Sequence, residues 1–276
     1  MPVHDDLGTR MKTYYEQIPK TQLMRRTPVI IRIDGKAFHT FTKGFQKPFD
    51  EILIKTMQET TKYLCENIQG CVLGYTQSDE ITLVLIDYQK FETSAWFNYE
   101  VQKMCSIAAS MATMAFNKAF ENNVIMGYVA RSNINIESDK YFDTLKKAIK
   151  KGAMFDARVF NIPKEEVTNC IYWRQLDATR NSIQMVGQAN FSHNELQNKT
   201  CSMIQDMLML QKNINWNDFP IYQKRGTCVV RNKIGNEEKT VMVRDLDKSE
   251  NEWIIDTKIP IFKGEGRYYI ENLINV

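Results

Sequence analysis

The sequence predicts an α+β fold of the ferredoxin-like type, in which helices cover one face of an antiparallel sheet. Three observations predict it. Short β-branched runs alternate with longer segments of helical periodicity. Over the first part of the chain their order is strand, helix, strand, strand, helix, strand, and only a short polar link separates the middle strands. With 276 residues, 43% of them hydrophobic, the chain can bury a substantial core.

The first part of the chain begins with an amphipathic helical arm that Pro19 closes. Asp50 is the expected N-cap of the first long helix, because its side chain can accept a hydrogen bond from the first helical turn. The predicted elements are, in order, the arm to about residue 26, a strand 29–33, a helix to about 67, strands 71–75 and 81–86, a helix from about 91 to 120, and a strand 155–160.

After Pro163 the pattern is mainly helical, and the acidic Glu165 and Glu166 favour a helix start. One helix runs to about Val186, and a second from about Asn194 to Lys212. The last part is predicted as strands 227–231, 240–244, 253–255 and 268–270, with a turn at Gly235-Asn236 between the first two.

Composition and charge leave the choice of partner open. The net charge of +3 neither requires nor excludes a nucleic acid. The six cysteines form no C-x-x-C pair, so we expect buried free thiols in a reducing compartment rather than disulfides or a zinc site. The N-terminus has no signal-peptide pattern, and no apolar stretch is long enough to span a bilayer. A cytoplasmic protein without a membrane partner is expected.

Acidic residues follow two of the predicted strands. Asp34 and Gly35 end the first strand, and Asp79 and Glu80 lie in the link between the middle strands. An Asp-Gly pair alone is an ordinary turn signal. In a ferredoxin-like sheet, however, the first strand and the central hairpin can lie side by side, so Asp34 and Asp79 could converge on one edge. Carboxylates and a backbone carbonyl are ligands that Mg²⁺ takes, with phosphates completing its shell.

Basic residues near these acids suit a triphosphate. They are Arg32, Lys36, Lys47 and Arg158, and Ser78 adds a hydroxyl donor. A single such cation is usually only a solvated surface charge. His39 could contact a nucleotide, move a proton or be satisfied by local hydrogen bonds.

Other residue patterns give no alternative site. Trp173 is expected in the core with surface neighbours on its helix. There is no Walker A or G-x-G-x-x-G motif, and no histidine lies in a recognisable nucleophile motif.

Five motifs, in order, resemble those of the tRNA-His guanylyltransferases and their Thg1-like relatives. They are Arg32 to His39 (R-[IL]-D-G-x-x-F-H), Gln77 to Glu80 (with Thr76 where glycine is usual), Phe155 to Arg158, Trp173 to Asp177, and Asn215 to Pro220 followed by Arg225 to Thr227. The resemblance covers about residues 32–231. It implies a polymerase-palm catalytic domain with its helical arm in residues 1–162, and a helical and β region packed on the palm in residues 163–276.

The resemblance also implies a reaction, the 3′–5′ addition of nucleotides to an activated tRNA 5′ end. The substrates would be tRNA, ATP, GTP and other nucleoside triphosphates, and the assembly a homotetramer. Asp34, the Gly35 carbonyl and Asp79 would hold two Mg²⁺ ions, with Glu80 assisting. The first nucleotide would lie against Arg32, Ala37, Phe38, His39, Lys47 and Ser78. Arg158, Asn181 and Lys199 would meet a second triphosphate or the tRNA end.

Thr179 departs from the pattern of the enzymes dedicated to tRNA-His, which carry histidine at that position. The chain therefore resembles the Thg1-like branch, whose members repair 5′-truncated tRNAs by templated addition; addition of G₋₁ to tRNA-His stays open. The lysine run of residues 146–151 could bind the phosphates of an RNA backbone, or it could be a solvated helix face. Two other functions remain, a nucleotide cyclase of palm fold and a non-catalytic tRNA-binding protein.

Overall fold

The computed structural model describes residues 6–132, 140–232 and 252–275. Its centre is an antiparallel sheet with the strand order β4-β1-β3-β2-β5-β6. The first four strands have the predicted ferredoxin-like arrangement, and the last two extend the same sheet beside β2. The strands are β1 (Val29–Gly35), β2 (Cys71–Gln77), β3 (Glu80–Leu85), β4 (Phe155–Asn161), β5 (Thr227–Arg231) and β6 (Trp253–Asp256).

The helices account for most of the remaining described chain. A π-helical stretch, Lys12–Glu16, follows α1, and a 3₁₀ turn, Trp96–Tyr99, precedes α4. The α-helices are α1 (Asp6–Met11), α2 (Phe38–Phe41), α3 (Glu51–Asn67), α4 (Val101–Ser132), α5 (Lys140–Lys151), α6 (Val167–Asn190), α7 (His193–Leu196), α8 (Cys201–Lys212), α9 (Ile221–Arg225) and α10 (Tyr268–Ile274). The side chain of Asp50 caps α3 as predicted, accepting the Leu53 N–H at 3.0 Å.

Both faces of the sheet are covered, because successive strand residues point to opposite faces. On one face, residues such as Ile31 and Leu83 pack against α3, α4 and α5. On the other face, residues such as Ile30 and Val84 pack against α6 and α10. The predicted one-sided helical layer is therefore present, and the C-terminal helices add a second layer. A third cluster joins α6 to α8 around Trp216.

The predicted helix 91–120 begins later and ends later than expected. Phe97, Asn98 and Tyr99 have left-handed φ values of 49°, 50° and 56°, so a continuous helix cannot pass through them. Tyr99 is buried there, and its carbonyl accepts the Leu23 N–H at 3.0 Å. Tertiary contacts with the N-terminal arm thus accompany the interruption before α4.

The predicted helix 194–212 is two helices. Ser192 caps α7 and Thr200 caps α8, each through a side-chain oxygen that accepts a backbone N–H three residues later. The chain between them is not helical. The N-cap preference of these two residues was therefore the sequence signal for the break.

The predicted strand 268–270 is wrong, because these residues begin α10. Tyr269, Ile270 and Ile274 are buried on its inner side, and Arg267 pairs with Glu271 at 3.0 Å. Packing has overridden the β propensity of the local triplet. The predicted strand 240–244 and the turn before it lie outside the described residues.

All six cysteines are free thiols. Cys65, Cys71 and Cys228 are buried, and the other three are half-buried. In the part of the chain that the structure describes, no helix combines the length and the apolarity needed to cross a membrane.

Aromatic rings tie the segment after β1 to the core. Phe38 lies 5.5 Å from Phe116 on α4 and 5.2 Å from Phe155 on β4, measured between ring centroids. Phe41 and Phe120 continue this aromatic cluster. Such ring pairs stabilise beyond the area that they bury. The cluster therefore fixes α2 against the end of the sheet at which β1 finishes.

Replacing Phe116 by alanine tests the aromatic cluster. Because Phe116 is fully buried, Phe116→Ala should lower the free energy of unfolding by about 3–5 kcal/mol. Urea denaturation measures it. Phe91→Ala is the matched control, since Phe91 is 94% exposed and its loss should cost less than about 0.5 kcal/mol. Equal losses in both variants would contradict this assignment.

Candidate active site

The structure brings Asp34 and Asp79 to the same end of the sheet. Asp34 is the strand partner of Glu80, and the Gly35 N–H donates to the Asp79 carbonyl at 3.2 Å. Both aspartates line a cleft of about 510 Å³. Predicted site residues that line the same cleft are Gly35, Ala37, Phe38, His39, Lys47 and Ser78.

Glycine is required at position 35 because the Phe38 ring packs closely against the backbone there, and not because the chain turns at this residue. Gly35 is the last residue of β1, and a Cβ atom at this position would lie 2.2 Å from the Phe38 ring. Only glycine fits such an approach. The turn expected at Gly35 occurs at Ala37 instead, whose φ is 54°. The buried Phe38 ring therefore explains the bare backbone beside Asp34.

A two-residue turn positions Asp79. Ser78 and Asp79 connect β2 to β3, and Ser78 adopts a left-handed φ of 50°. The Ser78 hydroxyl donates to Asp79 Oδ1 at 2.9 Å. The hairpin thus fixes the Asp79 carboxylate in the lining of the cleft.

The surroundings of the two aspartates only partly compensate their negative charge. Burial raises the pKa of Asp34 above its usual value, and the charges of Glu80 and Asp156 raise it further; Arg158 and Arg32 oppose them. Burial also raises the pKa of Asp79, against hydrogen bonds from Ser78 and its own backbone that lower it. A cation between the two carboxylates would relieve both effects.

The donor set fits a cation that takes few protein ligands. Asp34, Asp79 and the Gly35 carbonyl are the groups that could hold it. Across the described ranges, no three His, Cys, Asp or Glu side chains form a metal-binding group. Mg²⁺ is commonly held by one or two carboxylates, with water and substrate phosphates completing its shell. The residues present therefore fit Mg²⁺ better than a metal that needs an all-protein cage.

Glu80 is held by two arginines. Arg174 Nη2 donates to Glu80 Oε2 at 2.5 Å and to Asp177 Oδ2 at 2.7 Å, and Arg32 lies 3.5 Å from Glu80 Oε1. Asp177 also pairs with Arg180. We call Arg174, Glu80 and Asp177 the Arg174 ion network. It links the β2–β3 hairpin to α6.

The segment Trp173 to Asp177 is oriented opposite to the prediction. Trp173 is 51% exposed, whereas Arg174 is 4% and Gln175 2% exposed. Gln175 is tied to the last part of the chain, since its Nε2 donates to the Pro260 carbonyl and its Oε1 accepts the Phe262 N–H. Positions 171, 174, 175 and 178 share one helical face, so the periodicity of α6 contained this signal.

Other predicted site residues lie around the cleft. Arg158 is 3.7 Å from Asp34, and Lys36 is exposed just after β1. His39 Nε2 is 3.0 Å from the Thr40 hydroxyl. Lys47 also lines a second cavity of about 520 Å³, to which Lys199 contributes.

Asn181 lines a smaller adjoining cavity of about 70 Å³, which shares Ser78 with the cleft. Sequence reasoning missed two residues near the end of α6. Met185 and Gln188 line the cleft, and Gln188 also lines the second cavity. Only the helix that runs past residue 186 places Gln188 there.

Known proteins are similar to this chain in sequence and in fold. A family model described as tRNAHis guanylyltransferase matches residues 8–163. A tRNA(His) guanylyltransferase of Saccharomyces cerevisiae is 26% identical over 217 residues, 74% of this chain and 82% of that protein. A bacterial tRNA(His) guanylyltransferase (Thg1)-like protein, solved in complex with ATP, is 40% identical with a TM-score of 0.78, covering 98% of this chain and all of that one. Another such structure, in complex with GTP, is 36% identical with a TM-score of 0.74, covering 99% of this chain and 100% of that one.

The Arg174 ion network leads to a prediction about stability. Arg174→Ala leaves Glu80 and Asp177 without their shared buried partner, so we expect a loss of about 3 kcal/mol in the free energy of unfolding. Arg180→Ala is the control on the same helix. Arg180 pairs with the same aspartate but is 61% exposed, so its loss should cost less than about 1 kcal/mol. Chemical denaturation measures the free energy of unfolding of both variants. A loss for Arg174→Ala that is no larger than the loss for Arg180→Ala would refute the assignment.

Proposed function

The chain belongs to the tRNAHis guanylyltransferase family of nucleotidyltransferases, and from that premise we propose that it adds nucleotides to tRNA 5′ ends in a Mg²⁺-dependent, 3′–5′ reaction. One observation carries the proposal. Asp34, near the end of β1, and Asp79, in the turn between β2 and β3, converge at a cleft large enough for a nucleotide and lined by Lys47 and Ser78.

Asp34, Asp79 and the Gly35 carbonyl would hold two Mg²⁺ ions. When bound, the metal lowers the pKa of an attacking hydroxyl and neutralises charge on the leaving pyrophosphate. The protein's own part is to position the reactants. In this proposal Glu80 does so indirectly, because Arg174 and Arg32 hold it and thereby fix the β2–β3 hairpin.

The two cavities support a proposal for the nucleotide subsites. Lys47 and Ser78 would contact the phosphates of the first nucleotide, with Ala37, Phe38 and His39 along its side. Arg32 would add positive charge behind them, and Lys36 would add it at the rim. The second cavity, which shares Lys47 and Gln188 with the cleft, would take a second triphosphate or the RNA end through Lys199. Arg158 and Asn181 would flank that path.

Repair of 5′-truncated tRNA is the proposed activity, rather than addition of G₋₁ to tRNA-His. Thr179 supports it, because its hydroxyl donates to the Gln175 carbonyl at 2.9 Å within α6. Thr179 therefore lacks the imidazole ring of a histidine, and its hydroxyl already donates its hydrogen bond within the helix. ATP, GTP and other nucleoside triphosphates are the proposed substrates alongside tRNA.

The proposed assembly is a homotetramer in the cytoplasm. Its candidate contacts are the N-terminal arm and α4, both of which expose large apolar side chains, among them Tyr14, Tyr15, Ile125 and Met126. Six free thiols suit a reducing compartment.

An extension assay tests the function directly. The purified protein is incubated with ATP, labelled nucleoside triphosphates, Mg²⁺ and a tRNA that lacks its first 5′ nucleotide. Growth of the RNA at its 5′ end is expected, and EDTA should abolish it. Formation of a cyclic nucleotide without RNA would indicate a cyclase instead, and tRNA binding without any reaction would indicate a binding protein.

Removing either carboxylate should separate catalysis from RNA binding. Asp34→Asn and Asp79→Asn each remove a proposed metal ligand at nearly constant shape. We expect 5′ extension to fall by at least about 100-fold, with tRNA affinity largely retained. Asp206→Asn, at an exposed position of α8, is the control and should extend normally. Full activity of Asp34→Asn or Asp79→Asn would refute the metal assignment.

A further inference from the structure

Helix α5 is strongly basic and firmly anchored. Its twelve residues include five lysines and one aspartate. Phe142, Leu145 and Ala148 are buried in the main core on its inner side. The lysines therefore project from a helix whose orientation is fixed by packing.

The lysines of α5 fall on two different faces. Lys140, Lys147 and Lys151 share one face, since they and Thr144 are spaced by three or four residues. We call these three residues the lysine stripe. Lys146 and Lys150 lie on the adjoining face with Asp143, which is 3.8 Å from Lys146. Among the ion pairs found within the described ranges, none involves a residue of the stripe.

The lysine stripe adjoins the wall of the cleft. Thr144, beside it on the helix, packs on the loop before α3, where a Cβ atom at Gly44 would lie 3.1 Å from the Thr144 methyl group. The Tyr141 hydroxyl donates to Asp50 at 2.8 Å. Just after α5, the Met154 carbonyl accepts the Lys36 N–H at 2.8 Å. Asp50 and the nearby Lys47 line the cleft and so form part of its wall. The stripe therefore lies on the outer side of this wall, away from the cleft.

We propose that the lysine stripe binds the phosphate backbone of the RNA whose 5′ end enters the cleft. The inference rests on the proposed function and adds a surface for its RNA substrate. Eleven helical steps separate Lys140 from Lys151, about 16 Å along the axis. Successive phosphates along a nucleic-acid strand are closely spaced, so a stripe of this length can contact several of them.

The composition of the stripe favours RNA over an acidic protein as the partner. Stable protein interfaces have an apolar centre with aromatic anchors. The apolar side chains of α5 instead face the core or its margin, and the stripe itself presents ammonium groups. Exposed Lys36, Lys43 and Lys47 near the cleft extend the positive charge. A surface of this kind recognises phosphates without reading bases.

The test compares two double variants of one helix. Lys147→Gln/Lys151→Gln removes two charges from the stripe, and Lys146→Gln/Lys150→Gln removes two from the adjoining face. The equilibrium binding of 5′-truncated tRNA is measured for each against salt concentration, with ATP binding and thermal unfolding as checks of integrity.

We expect the stripe variant to bind tRNA more weakly than the wild-type protein. Its plot of log K against log salt concentration should be less steep, with a slope lower in magnitude by about 2. The KM for tRNA should rise, while kcat at saturating tRNA and the affinity for ATP stay unchanged. The control variant should retain the wild-type slope. An unchanged slope in the stripe variant, or an equal change in both variants, would overturn the proposal.

The outcomes distinguish this inference from the proposed function. A wild-type protein that binds tRNA through the stripe but does not extend it would refute the function alone. Normal extension with a salt slope that is independent of the stripe would refute the inference alone. Competition by polyglutamate that requires the stripe, with tRNA binding that does not, would assign the stripe to an acidic protein and overturn the proposal.

Discussion

The register of β1 between β3 and β4 is the constraint on which the site depends. It pairs Asp34 with Glu80 on one side and with Asp156 on the other. Because side chains alternate along a strand, a slip of one residue would turn Asp34 and Arg32 into the apolar core and bring Ile31 and Ile33 out of it. The buried pattern of β1 therefore fixes the carboxylate, and the same hydrophobic burial that forms the sheet sets the geometry of the cleft.

The second layer of helices makes the site a product of the whole chain. Arg174 on α6 reaches the hairpin through Glu80, and its neighbour Gln175 holds the segment around Phe262. A buried arginine is costly unless its charge is matched, which is why the two carboxylates and the guanidinium occur together. The region after residue 163 thus does more than cover the sheet, since it fixes the hairpin that carries Asp79.

Much of the fold could be predicted because its signals are local. The β-branched runs, the cap at Asp50 and the spacing of the central hairpin each reflect a few adjacent residues. The left-handed turn at Phe97 to Tyr99 could not be predicted, because contacts with the distant arm accompany it. The same holds for the helix that starts at Tyr268, where packing against the second face of the sheet outweighs local propensity.

Similar limits apply to the site. The convergence of Asp34 and Asp79 follows from topology, but the role of Gly35 depends on a ring three residues away. That ring belongs to the aromatic cluster, so the floor of the cleft is also part of the core. A substitution that changes the packing of these rings changes the thermal stability of the fold and also moves the backbone beside Asp34. Thermal stability and reaction rate therefore depend on one set of side chains, and evolution cannot adjust one without affecting the other.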